Sequence, residues 1–312
     1  MVSTIRYDNT TGFLNIYCGG VGLAAGEVFS SRYLNDGRPF PQVSVHIDTD
    51  PIEAPFVEHR IHIGLDGGML DALRADPDKF GPAAATILKE HAQDLDAEDI
   101  VNGSRTKRCL TQLAFAYHER KIAISLRKAL HDLVSRSRIK TVIPVLTSSS
   151  GGGAGSALQS LLIHKLYQSR LRSLLTEGLR PHLVHRPMSF VAEPYALAHQ
   201  HEAEHHAKIL GNAFAFRLES ERLERAGMTK YCFHLGFSNR FGTILSDPHL
   251  IGWVLGTSVY ELQRNWSEFK ARFVDLVDTA ALAKGYLGSD LPERVFGLTN
   301  AVPANRITPQ KG

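Results

Sequence analysis

Ile143-Pro-Val-Leu-Thr-Ser-Ser-Ser-Gly-Gly-Gly-Ala-Gly-Ser-Ala157 is the stretch whose reading decides the fold. An apolar, β-rich run from Ile139 to Leu146 feeds a loop of small residues. Leu158, Leu161, Leu162 and Leu166 then recur at helical spacing. The pattern is strand, tight turn, helix N-terminus. Four of the five residues from Gly151 to Gly155 are glycine, so the backbone there can approach a ligand with no Cβ in the way. The helix behind the turn points its unpaired N–H groups back at the loop, which makes an anion site. The segment reads as a phosphate cradle. A flexible glycine and serine linker is the plainer alternative, but a linker is rarely clamped between a buried strand and an amphipathic helix.

Outward from this loop, the bulk of the chain sets limits. Its 312 residues, 43% hydrophobic and 21% charged, can bury a sizeable core in one large or two ordinary domains. The net charge of +3 is too small to argue for a nucleic-acid partner. No apolar run reaches the roughly 18 residues of a membrane span, and the N-terminus lacks a signal pattern. Cys18, Cys109 and Cys232 form neither a disulfide framework nor a metal spacing. A reducing cytoplasm is the expected location.

Toward the N-terminus, Phe13 to Cys18 reads as a buried strand running into Gly19-Gly20-Val21-Gly22, with a helix to follow. The next strand, Val43 to Ile47, ends in Asp48-Thr49-Asp50. A glycine turn followed by an acid at the end of the second strand also fits a nicotinamide-binding Rossmann domain, in which Asp48 would hold a ribose. A dinucleotide enzyme, however, needs one glycine cradle, and this chain has two.

Both loops resemble the tubulin/FtsZ family. The run Gly151-Gly152-Gly153-Ala154-Gly155-Ser156-Ala157 is similar to the family's Gly-Gly-Gly-Thr-Gly-Ser-Gly, with Ala154 for threonine and Ala157 for the last glycine. Gly19, Gly20, Val21 and Gly22 match the glycine turn after the first strand, and Ile47-Asp48-Thr49-Asp50 resembles the end of the second. Gly67-Gly68 resembles the loop over the terminal phosphate, although glycines are as common in plain turns. Val191-Ala192-Glu193-Pro194-Tyr195 is similar to the segment whose glutamate meets the ribose, and Asn212 to the asparagine that reads guanine.

The resemblance implies an α/β fold, a doubly wound parallel sheet of tubulin/FtsZ GTPase type, placed near the divergent bacterial tubulin-like proteins. It implies GTP or GDP bound with magnesium, Ser150 to Ser156 on the phosphates beside Gly19 to Gly22 and Asp48, and self-association into an oligomer or filament. Residues 1–246 are expected to form the nucleotide-binding domain, 247–300 a central helix with an abbreviated helical region, and 301–312 a tail. Slow hydrolysis on assembly follows from the family. Asp275 and Asp278 are the acid pair for it, set in a segment that otherwise reads as an amphipathic helix. A GTP-gated interaction protein without turnover and a nicotinamide-dependent oxidoreductase remain the alternatives. One further motif, His201-Glu-Ala-Glu-His205, fits the His-Glu-x-x-His zinc pattern. A hydrated helix face accounts for it more simply, so no resident metal ligand is expected there.

Between these motifs the spacing predicts a helix near Ala83 to His91 and a long crossover helix from Leu110 to Leu133. It also predicts a strand ending at Val191, two strands within Lys230 to Leu245, and a helix capped by Asp247 with Pro248 in its first turn.

Overall fold

The computed structural model describes residues 10–91, 95, 107–136, 139–167, 186–194, 197, 203–229, 231–237, 244 and 246–270. Its first strand, β1 (Thr11–Cys18), leads without a break into α1 (Gly19–Asn35). Next come β2 (Gln42–Asp48), β3 (His59–His62), α2 (Gly67–Ala75), a 3-10 turn (Pro77–Phe80), α3 (Pro82–Glu90) and the long α4 (Arg108–Arg136). β4 (Thr141–Ser149) and α5 (Gly153–Tyr167) form the central unit. β5 (Met188–Ala192), α6 (Ala203–Arg225), β6 (Tyr231–Leu235) and α7 (Pro248–Arg264) complete the described chain.

The six strands form one sheet in the order β3-β2-β1-β4-β5-β6, and every pairing is parallel. β1, β2, β4 and β5 are buried almost throughout, as strands covered on both faces must be. Strand alternation sorts β1 between two cores. Leu14, Ile16 and Cys18 join the side covered by α3, α4 and α5, while Phe13 and Tyr17 join the side covered by α1 and α7. The sheet is therefore doubly wound, and the parallel α/β expectation holds.

Two features of α7 seal the second face. Its Gly252 and Gly256 lie so close to α1 that a Cβ would stand 2.7 Å from the Ala24 Cβ and 2.3 Å from the Ala25 carbonyl oxygen. Near its end, Gln263 exchanges side-chain amide hydrogen bonds with the buried Asn15 of β1, which also donates to Gln42 of β2 at 3.2 Å. A buried amide network of this kind fixes register, because a shift would leave its donors unpaired.

Element positions agree with the sequence reading in most places, with informative shifts. β4 runs on through Ser149, so Thr147 to Ser149 are strand, not loop. α1 and α5 begin inside the glycine runs, at Gly19 and Gly153. Gly67 and Gly68 form the exposed first turn of α2, where Asp66 caps the Met69 N–H at 2.8 Å. Of the two strands expected within Lys230 to Leu245, the described residues contain β6, which pairs in parallel with β5; residues 238–243 lie outside them. Asp247 caps α7 through His249 N–H at 2.8 Å, as its sequence predicts. Among the described residues, no helix is long and apolar enough to cross a membrane.

Candidate functional site

In a sheet of this order the chain leaves β1 toward β2 and β3 on one side, then returns to β4 on the other. The carboxyl ends of β1 and β4 thus flank the switch point where open α/β sheets bind ligands. Both ends lead into helices, and the two first turns touch. Gly19 has φ of 71°, and a Cβ on it would stand 2.9 Å from the Gly155 nitrogen. A Cβ on Gly155 would meet the Cys18 carbonyl oxygen at 3.0 Å. No residue but glycine lets the two turns come together in this way.

The result is a cleft of about 190 Å³ lined by Cys18, Gly19, Gly20, Val21, Ser149, Gly151 to Gly155, Leu197 and Ile209. No charged side chain occurs among these lining residues. The first turns of α1 and α5 line the cleft, and the first-turn N–H groups and aligned peptide dipoles of a helix carry partial positive charge. Leu197 and Ile209 supply an apolar wall.

The other predicted residues surround this cleft in distinct ways. Asn212, on α6, donates from Nδ2 to the Gly151 carbonyl at 3.0 Å, tying that helix to the loop. The Ser150 hydroxyl donates to the Ala192 carbonyl at 3.0 Å and locks β4 to β5. The Ser156 hydroxyl turns back to the Gly152 carbonyl. Gly22 lies under β4, where a Cβ would be 2.6 Å from the Thr147 carbonyl oxygen. Ser150, Ser156 and Gly22 therefore build the cradle and do not line it. Asp275, Asp278, His201 and Glu202 lie outside the described residues.

Glu193 follows β5, and its Oε1 lies 2.9 Å from His234 Nδ1 on β6. On the ring's far side, Nε2 is 3.3 Å from Cys232 Sγ. Burial opposes a charge on this imidazole, but Cys232 and Glu193 outweigh it and hold the His234 pKa well above the usual value. Nearby, burial lifts the Glu224 carboxyl of α6, against the pull of His234.

Behind the first turn, Asp48 is almost fully enclosed, and its Oδ1 accepts the Thr49 and Asp50 N–H groups at 2.7 and 3.3 Å. Burial raises its pKa to about 6 despite these bonds. His46 Nε2 stands 3.7 Å from Asp48 Oδ2, and burial lowers the His46 pKa to about 4. Burial, then Asp48, also pushes the Cys18 thiol far up.

No family model matches the sequence, and no curated protein matches it. Solved structures do. A GTPγS-bound protofilament of CetZ2 from Haloferax volcanii matches at 14% identity and TM-score 0.47, over 81% of this chain and 58% of that one. TubZ from Clostridium botulinum phage c-st matches at 12% identity and TM-score 0.44, over 81% and 59%. CetZ from Methanosaeta thermophila matches at 12% identity and TM-score 0.45, over 91% and 58%. The matched region is thus under two thirds of each of these longer chains.

Sequence reasoning missed Cys18, Ser149, Leu197 and Ile209 as lining residues. Ser149 could have been found by extending the strand pattern through Thr147, which would have put its side chain at the strand's open end. Leu197 carries no local signal, because its place depends on how the chain returns after β5.

Proposed function

We propose that this chain is a guanine-nucleotide-binding protein of the tubulin/FtsZ kind, which self-associates and hydrolyses GTP slowly on assembly. The observation that carries the proposal is the contact of Gly19 with Gly155, which aims two helix N-termini at one small, uncharged cleft. One cradle suits a single phosphate group, whereas two on one site suit a polyphosphate. Ser149 adds a hydroxyl to the backbone donors. Asn212 stands one hydrogen bond from the loop, where a base joined to those phosphates would be within reach.

Magnesium would enter with the nucleotide. The described lining holds no carboxylate, so the ion's direct ligands would be phosphate oxygens and waters, as this hard cation accepts. It would supply charge neutralisation to phosphates that the protein meets only with backbone dipoles. The chain's own part is to hold the phosphates in line and to exclude other poses.

The oxidoreductase alternative shares the strand order but needs an acid presented to a ribose. Asp48 is instead turned into its own loop and shielded. Freshly purified protein should release GDP or GTP on denaturation, identified by mass spectrometry, and should bind fluorescent GTP more tightly than ATP or NADH. Release of a nicotinamide dinucleotide would overturn the proposal. Light scattering and phosphate release with GTP then separate an assembling GTPase, which shows both, from a GTP-gated interaction protein, which shows neither.

A further inference from the structure

Cys232 and His234 stand two residues apart on β6, turned away from Tyr231, Phe233 and Leu235, which pack into the core against α7. Cys18 belongs to the apolar core and Cys109 packs against it, whereas Cys232 is part of neither core cluster and is half-buried. Its Sγ lies 3.3 Å from His234 Nε2. The opposite ring nitrogen, Nδ1, lies 2.9 Å from Glu193 Oε1. A proton on Nδ1 donated to the carboxylate orients the ring and leaves Nε2 as the base facing sulfur.

The ring is steadied by Phe216 of α6, whose centroid is 6.2 Å away in an edge-on arrangement. Among the described residues, Glu193 after β5, Cys232 on its own strand and Glu224 from α6 face this imidazole. Burial opposes a charge on the ring, but Cys232 and Glu193 outweigh it and favour the form in which the ring holds a proton. Thiol, imidazole and carboxylate in series are what activates a sulfur nucleophile, the carboxylate orienting the base and the base taking the proton. A purely structural thiol needs no such base.

We propose that Cys232 is a nucleophilic thiol, activated by His234 and Glu193, that reacts with hydroperoxides. Its sulfur attacks one peroxide oxygen, so that an S–O bond forms as the O–O bond breaks. The thiol proton, taken up by His234 Nε2, passes to the departing oxygen. Cys232 is oxidised to the sulfenic acid, and the hydroperoxide is reduced to water or an alcohol. A small thiol can then displace water to give a mixed disulfide, and a second equivalent frees the cysteine.

The test uses the full chain and two probes. Iodoacetamide labelling, followed by peptide mass spectrometry, gives the rate at Cys232 against pH. An ordinary thiol with pKa near 8.5 slows about fiftyfold between pH 8.5 and 6.5, the ratio of its thiolate fractions. Cys232 should slow less than about fivefold, and in His234→Gln it should slow like an ordinary thiol. With hydrogen peroxide and a sulfenic-acid trap, Cys232 should be tagged well before Cys18 or Cys109. A fiftyfold loss at Cys232 in the wild-type chain, or tagging no faster than at Cys109, overturns the proposal even if the variant does not fold.

Discussion

The backbone nitrogen of Gly155 lies 2.9 Å from where a Cβ on Gly19 would stand, and Gly19 itself has φ of 71°. Gly19→Ala should therefore cost about 2–5 kcal/mol, the sum of a left-handed residue and an overpacked contact. Its neighbour offers the control. A Cβ on Gly20 would meet nothing within 4 Å, so Gly20→Ala should stay within about 0.5 kcal/mol of the wild type. Urea unfolding of the two variants checks the pair, and equal stability would mean that the turns do not touch in solution.

Gly152 lines a cleft without a charged side chain among its lining residues, and its Cβ direction meets only the Ser149 hydroxyl at 2.8 Å. Gly152→Asp would bring a carboxylate to the phosphates with no basic side chain among the lining residues to offset it. Like charges about 4 Å apart repel by about 4 kcal/mol at an effective dielectric near 20, so fluorescent GTP should bind about a thousandfold more weakly. Ser149 can rotate aside, so the unfolding midpoint should change little. Unchanged affinity would remove the cleft from consideration as the nucleotide site.

Asp48 makes a pH prediction with a defined sign. Burial raises its folded pKa to about 6 from 3.8, so the folded state binds the extra proton between those values, and stability falls as pH rises through them. The shift is worth about 3 kcal/mol at 1.36 kcal/mol per unit. His46 acts oppositely. Its folded pKa, lowered to about 4 from 6.5, makes stability rise with pH over nearly the same window. The two nearly cancel in the wild type. Asp48→Asn removes one side, so between pH 4 and 7 the variant should gain about 3 kcal/mol relative to the wild type. Denaturant midpoints at four pH values measure it; a constant difference would refute the assignment.

Gln263 tests the link between α7 and the sheet. Replacing it by Leu leaves the Asn15 amide, fully buried on β1, without its partner on α7, and a buried unpaired amide costs about 1–3 kcal/mol. Gln263→Leu should lower the unfolding free energy by that amount, read from urea titration.

The order of strands and helices was legible because each buried strand is a short apolar run and each helix an apolar stripe, and these periods survive in the residues themselves. Leu250, Ile251, Val254, Leu255, Val259 and Leu262 predicted α7, and Asp247 and Pro248 its start. The glycines were harder. Gly19 to Gly22 read as a turn at the start of a helix, and they are that helix's own first turn. Gly22 and Gly26 are small because the Thr147 carbonyl and the Tyr17 ring press on them. A sequence shows that a side chain is absent, and only the fold shows what fills its place. The same holds for Ser150 and Ser156, expected on the phosphates, whose hydroxyls donate to the carbonyls of Ala192 and Gly152. Leu197 acquires meaning only through residues distant in the chain.

α1 presents its first turn to the cleft and carries α7 along its flank, where Gly252 and Gly256 leave no room for a methyl group between the helices. Two rods joined by so thin a seam cannot slide independently. A pull at the far end of α7 would reach Gly19 almost undamped, and a guest gripping Gly19 would stiffen α7 in return.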